Sequence, residues 1–200
     1  MYTNNPYAQA GWKNPQNKYS INELPWQRNP VSPPTFGVLP SQHDATTILK
    51  FTFTFSPNIW NCLVTGPNDL KFFDVATTGF TTIISKPGIQ CATIQWTQHP
   101  SVEVKDVITQ QPTAQFLRLS ADQKYRTMTI GGRIYAWVPH VQGTYLYSTG
   151  SNSSEEFARI RLSSDARKIV LELTSEAFQA GIFEACVVST VLLYSGRSLQ

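Results

Sequence analysis

The sequence predicts an all-β, antiparallel fold, a sandwich or barrel entered through a long extended N-terminal arm. Three observations lead there. Residues 1–45 hold seven of the thirteen prolines and almost no periodic apolar pattern. From Thr46 onward, short runs of alternating apolar residues follow one another, broken by Gly, Pro, Asn and Ser, which is the spacing of a many-stranded antiparallel structure. No segment of helix length shows a competing 3.6-residue period. The expected organisation is therefore an extended Pro-rich arm over 1–45 and a β-domain over 46–200.

Taken in order, Thr47–Phe55 alternates Ile48, Lys50 and Thr52 with Leu49, Phe51, Phe53 and Phe55, so one face is strongly apolar. Ile59–Thr65 follows and is closed by the turn cluster Gly66-Pro67-Asn68-Asp69. The next expected strands are Thr81–Ser85, Ala92–Thr97, Val102–Thr109, Ala114–Leu119, Arg126–Ile130, Arg133–Val138 and Thr144–Tyr147. Phe157–Leu162, Lys168–Leu173 and a long Ile182–Tyr194 complete the set. Two helical turns are expected as connectors, Asn68–Asp74 and Ser175–Ala180, the second capped by Ser175 and ended by Gly181. Gly131-Gly132 interrupts a strand pattern as a bulge, a bend or a tight hairpin. The polar stretch 148–154 reads as an exposed loop tip, and its Asn152-Ser153-Ser154 fits a glycosylation acceptor only by chance, given no secretory start.

Composition narrows the function. Only 14% of the residues are charged and the formal net charge is +3, well below the roughly 25% charge of free-standing domains. Much of the surface is therefore expected to be covered by other chains. The arm carries Lys13, Lys18 and Arg28 against Glu23 and Asp44, which is no nucleic-acid packaging arm. It cannot offset its own ordering entropy by burial, so another protein surface is its expected holder. Cysteines 62, 91 and 186 are odd in number and far apart, arguing against both a disulfide framework and zinc, and for three buried thiols in an intracellular product. No run approaches the ~20 apolar residues of a membrane span, the best being the ten residues Ala185 to Tyr194. The start lacks the basic and apolar regions of a secretory signal.

The sequence offers little for catalysis. His43, His99 and His140 each lack a second ligand within a few residues, so a local metal site is unsupported. There is no Gly-x-Ser-x-Gly elbow and no phosphate-cradling glycine loop. Asp69/Asp74 and Glu103/Asp106 are read as solvated loop carboxylates rather than calcium ligands at a subunit contact. Arg159 and Arg161 alternate on one strand and share a face, with Arg167 and Lys168 following across a turn. Together with Lys124, Arg126 and Arg133 they form either a modest polyanion contact or simply a polar outer face. Trp60, Trp96 and Trp137 lie inside strand patterns, which favours core burial over a sugar-binding platform.

The whole arrangement resembles the jelly-roll coat proteins of small icosahedral positive-strand RNA viruses of the picornavirus-like, comovirus-like or tymovirus-like kind. A Pro-rich arm, an early apolar strand at Thr47–Phe55, about eight to ten strands and a final long strand at Ile182–Tyr194 carry that resemblance. Ser198-Leu199-Gln200 is similar to the end left by a cysteine protease that cleaves after Gln. The resemblance implies a jelly-roll β-sandwich and a capsid subunit without enzymatic activity, assembling with itself or with sister coat proteins. It further implies arm docking through Tyr7, Trp12, Tyr19, Trp26 and Phe36, and weak contact with packaged RNA. A host receptor, no cofactor beyond interface calcium, and a virion made in the host cytoplasm complete what it implies. A phage tail or decoration protein, or a receptor- or carbohydrate-binding module, is the alternative.

Overall fold

The structure, a computed structural model, describes residues 47–150, 155–163 and 167–199. The arm and its expected docking residues lie outside these, as does Asn152-Ser153-Ser154. Thirteen strands are described: β1 (Ile48–Phe55), β2 (Cys62–Thr65), β3 (Lys71–Thr78), β4 (Thr81–Lys86), β5 (Ile89–Gln95), β6 (Ser101–Val104), β7 (Ile108–Pro112), β8 (Arg118–Leu119), β9 (Arg126–Ile130), β10 (Arg133–His140), β11 (Gly143–Thr149), β12 (Glu156–Leu162) and β13 (Lys168–Thr174). Three helices accompany them: α1 (Thr113–Phe116), α2 (Ser175–Gln179) and α3 (Phe183–Tyr194).

All thirteen strands belong to one antiparallel sheet, in the order β7-β6-β5-β4-β3-β2-β1-β13-β12-β11-β10-β9-β8. Every pairing but one joins strands consecutive in the chain. The exception is β1 with β13, from Ile48 opposite Thr174 to Thr54 opposite Lys168. The sheet is not closed by hydrogen bonds, since β7 and β8 are both edges, but α1 links them directly and packs against both. This replaces the two-sheet jelly roll expected above. In a sandwich the inner faces of two sheets cover each other, whereas here one sheet curls and its inner face is covered by a helix.

That helix, α3, is the second correction. The segment Ile182–Tyr194 was expected as the last strand; instead Phe183 to Leu192 is buried along nearly its whole circumference. An α-helix that is apolar all round has no solvent face and so must be enclosed. Contacts on its different sides show the enclosure. Phe183 meets Phe51 of β1 at 4.3 Å and Phe73 of β3 at 5.3 Å between ring centroids. Ser189 donates to the Met128 sulfur of β9 at 3.6 Å, and the Tyr194 hydroxyl lies 3.5 Å from that of Thr144 on β11. Thr190 bonds the Cys186 carbonyl one turn back at 2.8 Å, so neither internal hydroxyl is left unpaired. Beyond α3 the chain is pinned at the seam, where Thr113 of α1 donates to the Leu199 carbonyl at 2.9 Å. Nearby, the Arg197 guanidinium lies 4.0 Å from the Trp60 ring and 4.9 Å from Trp96.

Smaller differences have local causes. The expected helical turn at Asn68–Asp74 is a 3-10 turn at Pro67–Asp69 followed by β3. Val102–Thr109 divides into β6 and β7 around Asp106, which takes φ 60°. Ala114–Leu119 contributes the end of α1 and the short β8. The connector at Ser175 is helical as expected, but its cap is Thr174, whose hydroxyl accepts from the Ala177 amide at 3.2 Å. Gly131-Gly132, with φ of 54° and 76°, closes a two-residue hairpin between β9 and β10, a turn that needs left-handed backbone.

The enclosure of α3 makes a direct prediction for Val187, which is fully buried at mid-helix. Val187→Ala is expected to lower the unfolding free energy by about 2 kcal/mol, the transfer and cavity cost of two lost methyls. Val187→Asp places an unpaired carboxylate in the core and is expected to abolish the cooperative transition seen by circular dichroism on heating. A wild-type melting curve for Val187→Asp would mean that the helix is not enclosed.

Candidate polyanion-binding face

Strand alternation sends Ile169, Leu171 and Leu173 of β13 inward, where all are buried, and therefore sends Lys168, Val170 and Glu172 outward. The same rule places Arg159 and Arg161 of β12, Tyr145 and Tyr147 of β11, and Lys50 of β1 on that outer face. Register then aligns them. Tyr145 is opposite Arg159, Arg159 is opposite Glu172, and Glu172 is opposite Lys50, a straight row across four strands.

Glu172 organises the row. Its side chain is only 2% exposed although it lies on the outer face, because its neighbours fold over it. Arg159 donates through Nε to Oε2, Arg161 donates through Nη2 to Oε1 at 2.9 Å, and Lys50 Nζ lies 3.4 Å from Oε1. Glu156 reaches Arg159 from the other side at 3.9 Å. Burial alone would raise the Glu172 carboxyl, but the hydrogen bonds and charges of Arg159 and Arg161 hold it below the usual carboxylate range. Burial likewise opposes the charge on Arg159, and the bond to Glu172 outweighs it. Four cations, Lys50, Arg159, Arg161 and Lys168, thus share a face with two carboxylates.

Close packing under the face is set by Gly143. Its φ of 143° is in the region that favours glycine, and a β-carbon there would overlap the Ile160 carbonyl oxygen and sit 3.1 Å from Arg161 Cγ. The absent side chain lets β11 approach β12 and lets the Arg161 stem lie across it. Along β11, the Tyr145 and Tyr147 rings are nearly parallel, 6.3 Å apart at 10°, and His140 stands edge-on to Tyr145 at 5.3 Å. Tyr147 is pushed up by partial burial, then by the charge of Glu156 and by Tyr145.

Of the residues expected to contact a polyanion, the structure brings Arg159, Arg161 and Lys168 together on one face and leaves Arg167 exposed at the entry to β13. Arg126 does not join them, because it donates to the Leu117 carbonyl at 2.8 Å beside the seam. Sequence reasoning missed Lys50, Glu172, Tyr145 and Tyr147. A charged residue inside the apolar pattern of β13 was the available signal for Glu172.

The other expected sites resolve plainly. Trp96 and Trp137 are buried, and half-buried Trp60 is covered by Arg197. Asp74 pairs with Lys71, and among the described residues no cluster of three or more His, Cys, Asp or Glu is placed to hold a metal. Cys62, Cys91 and Cys186 are free and buried. Burial, helped by Asp74, pushes the Cys62 thiol up to about 12, and burial with Glu184 raises Cys186 further, so neither is a ready nucleophile. No described helix is long and apolar enough to cross a membrane.

Comparison with known proteins adds little. No family model matches the chain and no curated protein matches its sequence. One solved structure, a protein of Arabidopsis thaliana, is similar at a TM-score of 0.39 and 11% identity, over 73% of this chain and 93% of that one. A likeness at that level carries no functional weight.

The ion network predicts an asymmetry. Removing the buried anion leaves cations that can hydrate, whereas removing the two arginines leaves the buried carboxylate with Lys50 alone. Glu172→Gln is therefore expected to cost about 1 kcal/mol, and the double substitution Arg159→Ala/Arg161→Ala about 3 kcal/mol, both read from denaturant unfolding. Because the Glu172 carboxyl is lowered in the folded state, its stabilisation is present above the ordinary carboxylate pKa. It is lost as pH falls through the lowered folded value. Wild type should lose stability over that acid range faster than Glu172→Gln, and parallel curves would refute the assignment.

Proposed function

We propose that the β-domain is a non-catalytic binding module that holds a polyanion on the outer face of β11, β12, β13 and β1. The observation that carries this reading is the in-register row Arg159, Glu172, Lys50, with Arg161 and Lys168 beside it. Glu172 fixes two guanidinium groups that would otherwise be flexible, which reduces the entropy lost when a ligand binds. Arg161 remains 41% and Lys50 65% exposed, so both retain donors toward solvent. Arginine suits phosphate or sulfate because its planar fork bonds two oxygens at once. Four cations against two carboxylates give modest attraction, in keeping with a chain of net charge +3.

Assembly into a shell, with copies of this chain or with sister coat proteins, is a second proposal. It is favoured by 14% charge together with exposed Phe80, Leu70, Ile89 and Val141, and its jelly-roll argument no longer applies. Negative-stain microscopy of the full chain checks it, closed uniform particles being the expected result and a monomer at all concentrations the refutation.

For the polyanion reading, heparin is a convenient probe. About three neutralised charges predict roughly twenty- to fortyfold weaker binding between 50 and 200 mM salt. Lys168→Glu, on the same face but outside the Glu172 ion network, is expected to weaken binding severalfold with an unchanged melting curve, whereas Arg161→Glu/Lys168→Glu is expected to weaken it at least tenfold and also to lower the melting temperature, because a second carboxylate then faces the buried Glu172. Absence of heparin binding at low salt, or equal binding by that variant, would overturn the proposal.

A further inference from the structure

We infer that the polyanion this face takes is a single-stranded nucleic acid, its bases stacking on Tyr145 and Tyr147 while its phosphates meet Arg159, Arg161, Lys50 and Lys168. The inference rests on the polyanion reading and adds the chemistry of the ligand. Two features of the face go beyond charge. The first is the aromatic ladder of β11, in which Tyr145 and Tyr147 present nearly parallel rings 6.3 Å apart and His140 extends the row 5.3 Å from Tyr145. Every base has a π-face, so such a ladder accepts successive bases without reading their sequence. A sulfated sugar or a polyphosphate has no planar group to place there.

The second feature is the spacing between ladder and cations. Arg159 is directly opposite Tyr145 on the neighbouring strand, a separation of about 5 Å between side-chain roots. An extended strand lying along β11 and β12 therefore has rings under its bases and guanidinium groups under its backbone at once. In a duplex the bases are stacked on one another and unavailable, so only the charged half of the face would engage.

The shape of the site agrees. This row is an open sheet surface, and two cavities, of about 510 and 460 Å³, lie elsewhere, lined by Gly88 to Thr93 with Glu103 and Lys105, and by Ile130, Arg133, Tyr135, Phe157 and Glu176. Small ligands are held by concave sites, whereas an extended polymer suits an open, striped face.

The test uses the full-length chain and fluorescence anisotropy with a labelled dodecamer of uridine, a duplex of the same length, heparin, and vesicles rich in phosphatidylserine. The expected result is single-strand binding at least tenfold tighter than duplex binding. Tyr145→Leu/Tyr147→Leu, which keeps an apolar cover on the sheet but no ring, should weaken single-strand binding about tenfold and leave heparin binding within twofold. Melting curves of the variant check its fold, and Tyr147→Phe should retain single-strand binding because it keeps the ring. Equal affinity for single strand and duplex, or an unaffected leucine variant, would overturn the stacking inference while heparin binding kept the polyanion reading intact. Loss of both nucleic-acid and heparin binding would remove both readings. Binding to vesicles without binding to the dodecamer would assign the face to a lipid surface and likewise overturn the inference.

Discussion

The structure depends on one constraint: α3 has no polar side. Nine of its residues, from Phe183 to Leu192, are buried, and a helix of that kind is stable only when apolar surface meets it on all sides. A flat sheet covers one side of a helix. Thirteen strands in one curled sheet cover the rest, and α1 fills the interval between the edges β7 and β8. The same arrangement shields those edges, which would otherwise offer unpaired backbone groups to another chain. Helix and sheet thus answer each other's deficiency, which is why the inner face reads apolar on strand after strand.

Because side chains alternate along a strand, the register that turns one set inward also fixes the set turned outward. Phe51 and Leu171 are opposite each other and buried; their chain neighbours Lys50 and Glu172 are then necessarily opposite each other outside. The ionic row is in this sense a by-product of core register, refined by Gly143 and by the shift between Leu146 and Tyr147. What is not a by-product is the choice of residues. A buried carboxylate on an outer face is costly unless several donors surround it, and here three cations do so.

Much of the strand content was legible in the sequence. Ile48–Phe55 and Arg126–Ile130 alternate clearly because one side of each meets the core and the other meets water. The helix was not legible, since burial all round erases the 3.6-residue period and Val187, Val188, Thr190 and Val191 are β-branched residues that favour strands. β3 was hidden as well, because Phe72 and Phe73 are adjacent and both pack, one against Phe51 edge-on at 5.2 Å and one against Phe183. For the face, the shared side of Arg159 and Arg161 followed from spacing alone. Their relation to Lys50 did not, because more than a hundred residues separate the strands and only the completed register joins them.

That last separation bears on how the face is made. Eleven of the strand pairings bring chain neighbours together locally, but β1 and β13 meet only when the two ends of the described domain close on each other. Such a long-range pairing is entropically the most demanding contact in the sheet. Lys50 is on one side of it and Glu172, Arg159 and Arg161 are on the other, so the cation cluster spans the closure. In a chain where β1 and β13 have not paired, Glu172 loses Lys50 and its cover, and the guanidinium groups lose a fixed anchor. The binding face is therefore a property of the closed fold around α3, and any segment of β11 to β13 taken alone would carry the charges without their arrangement.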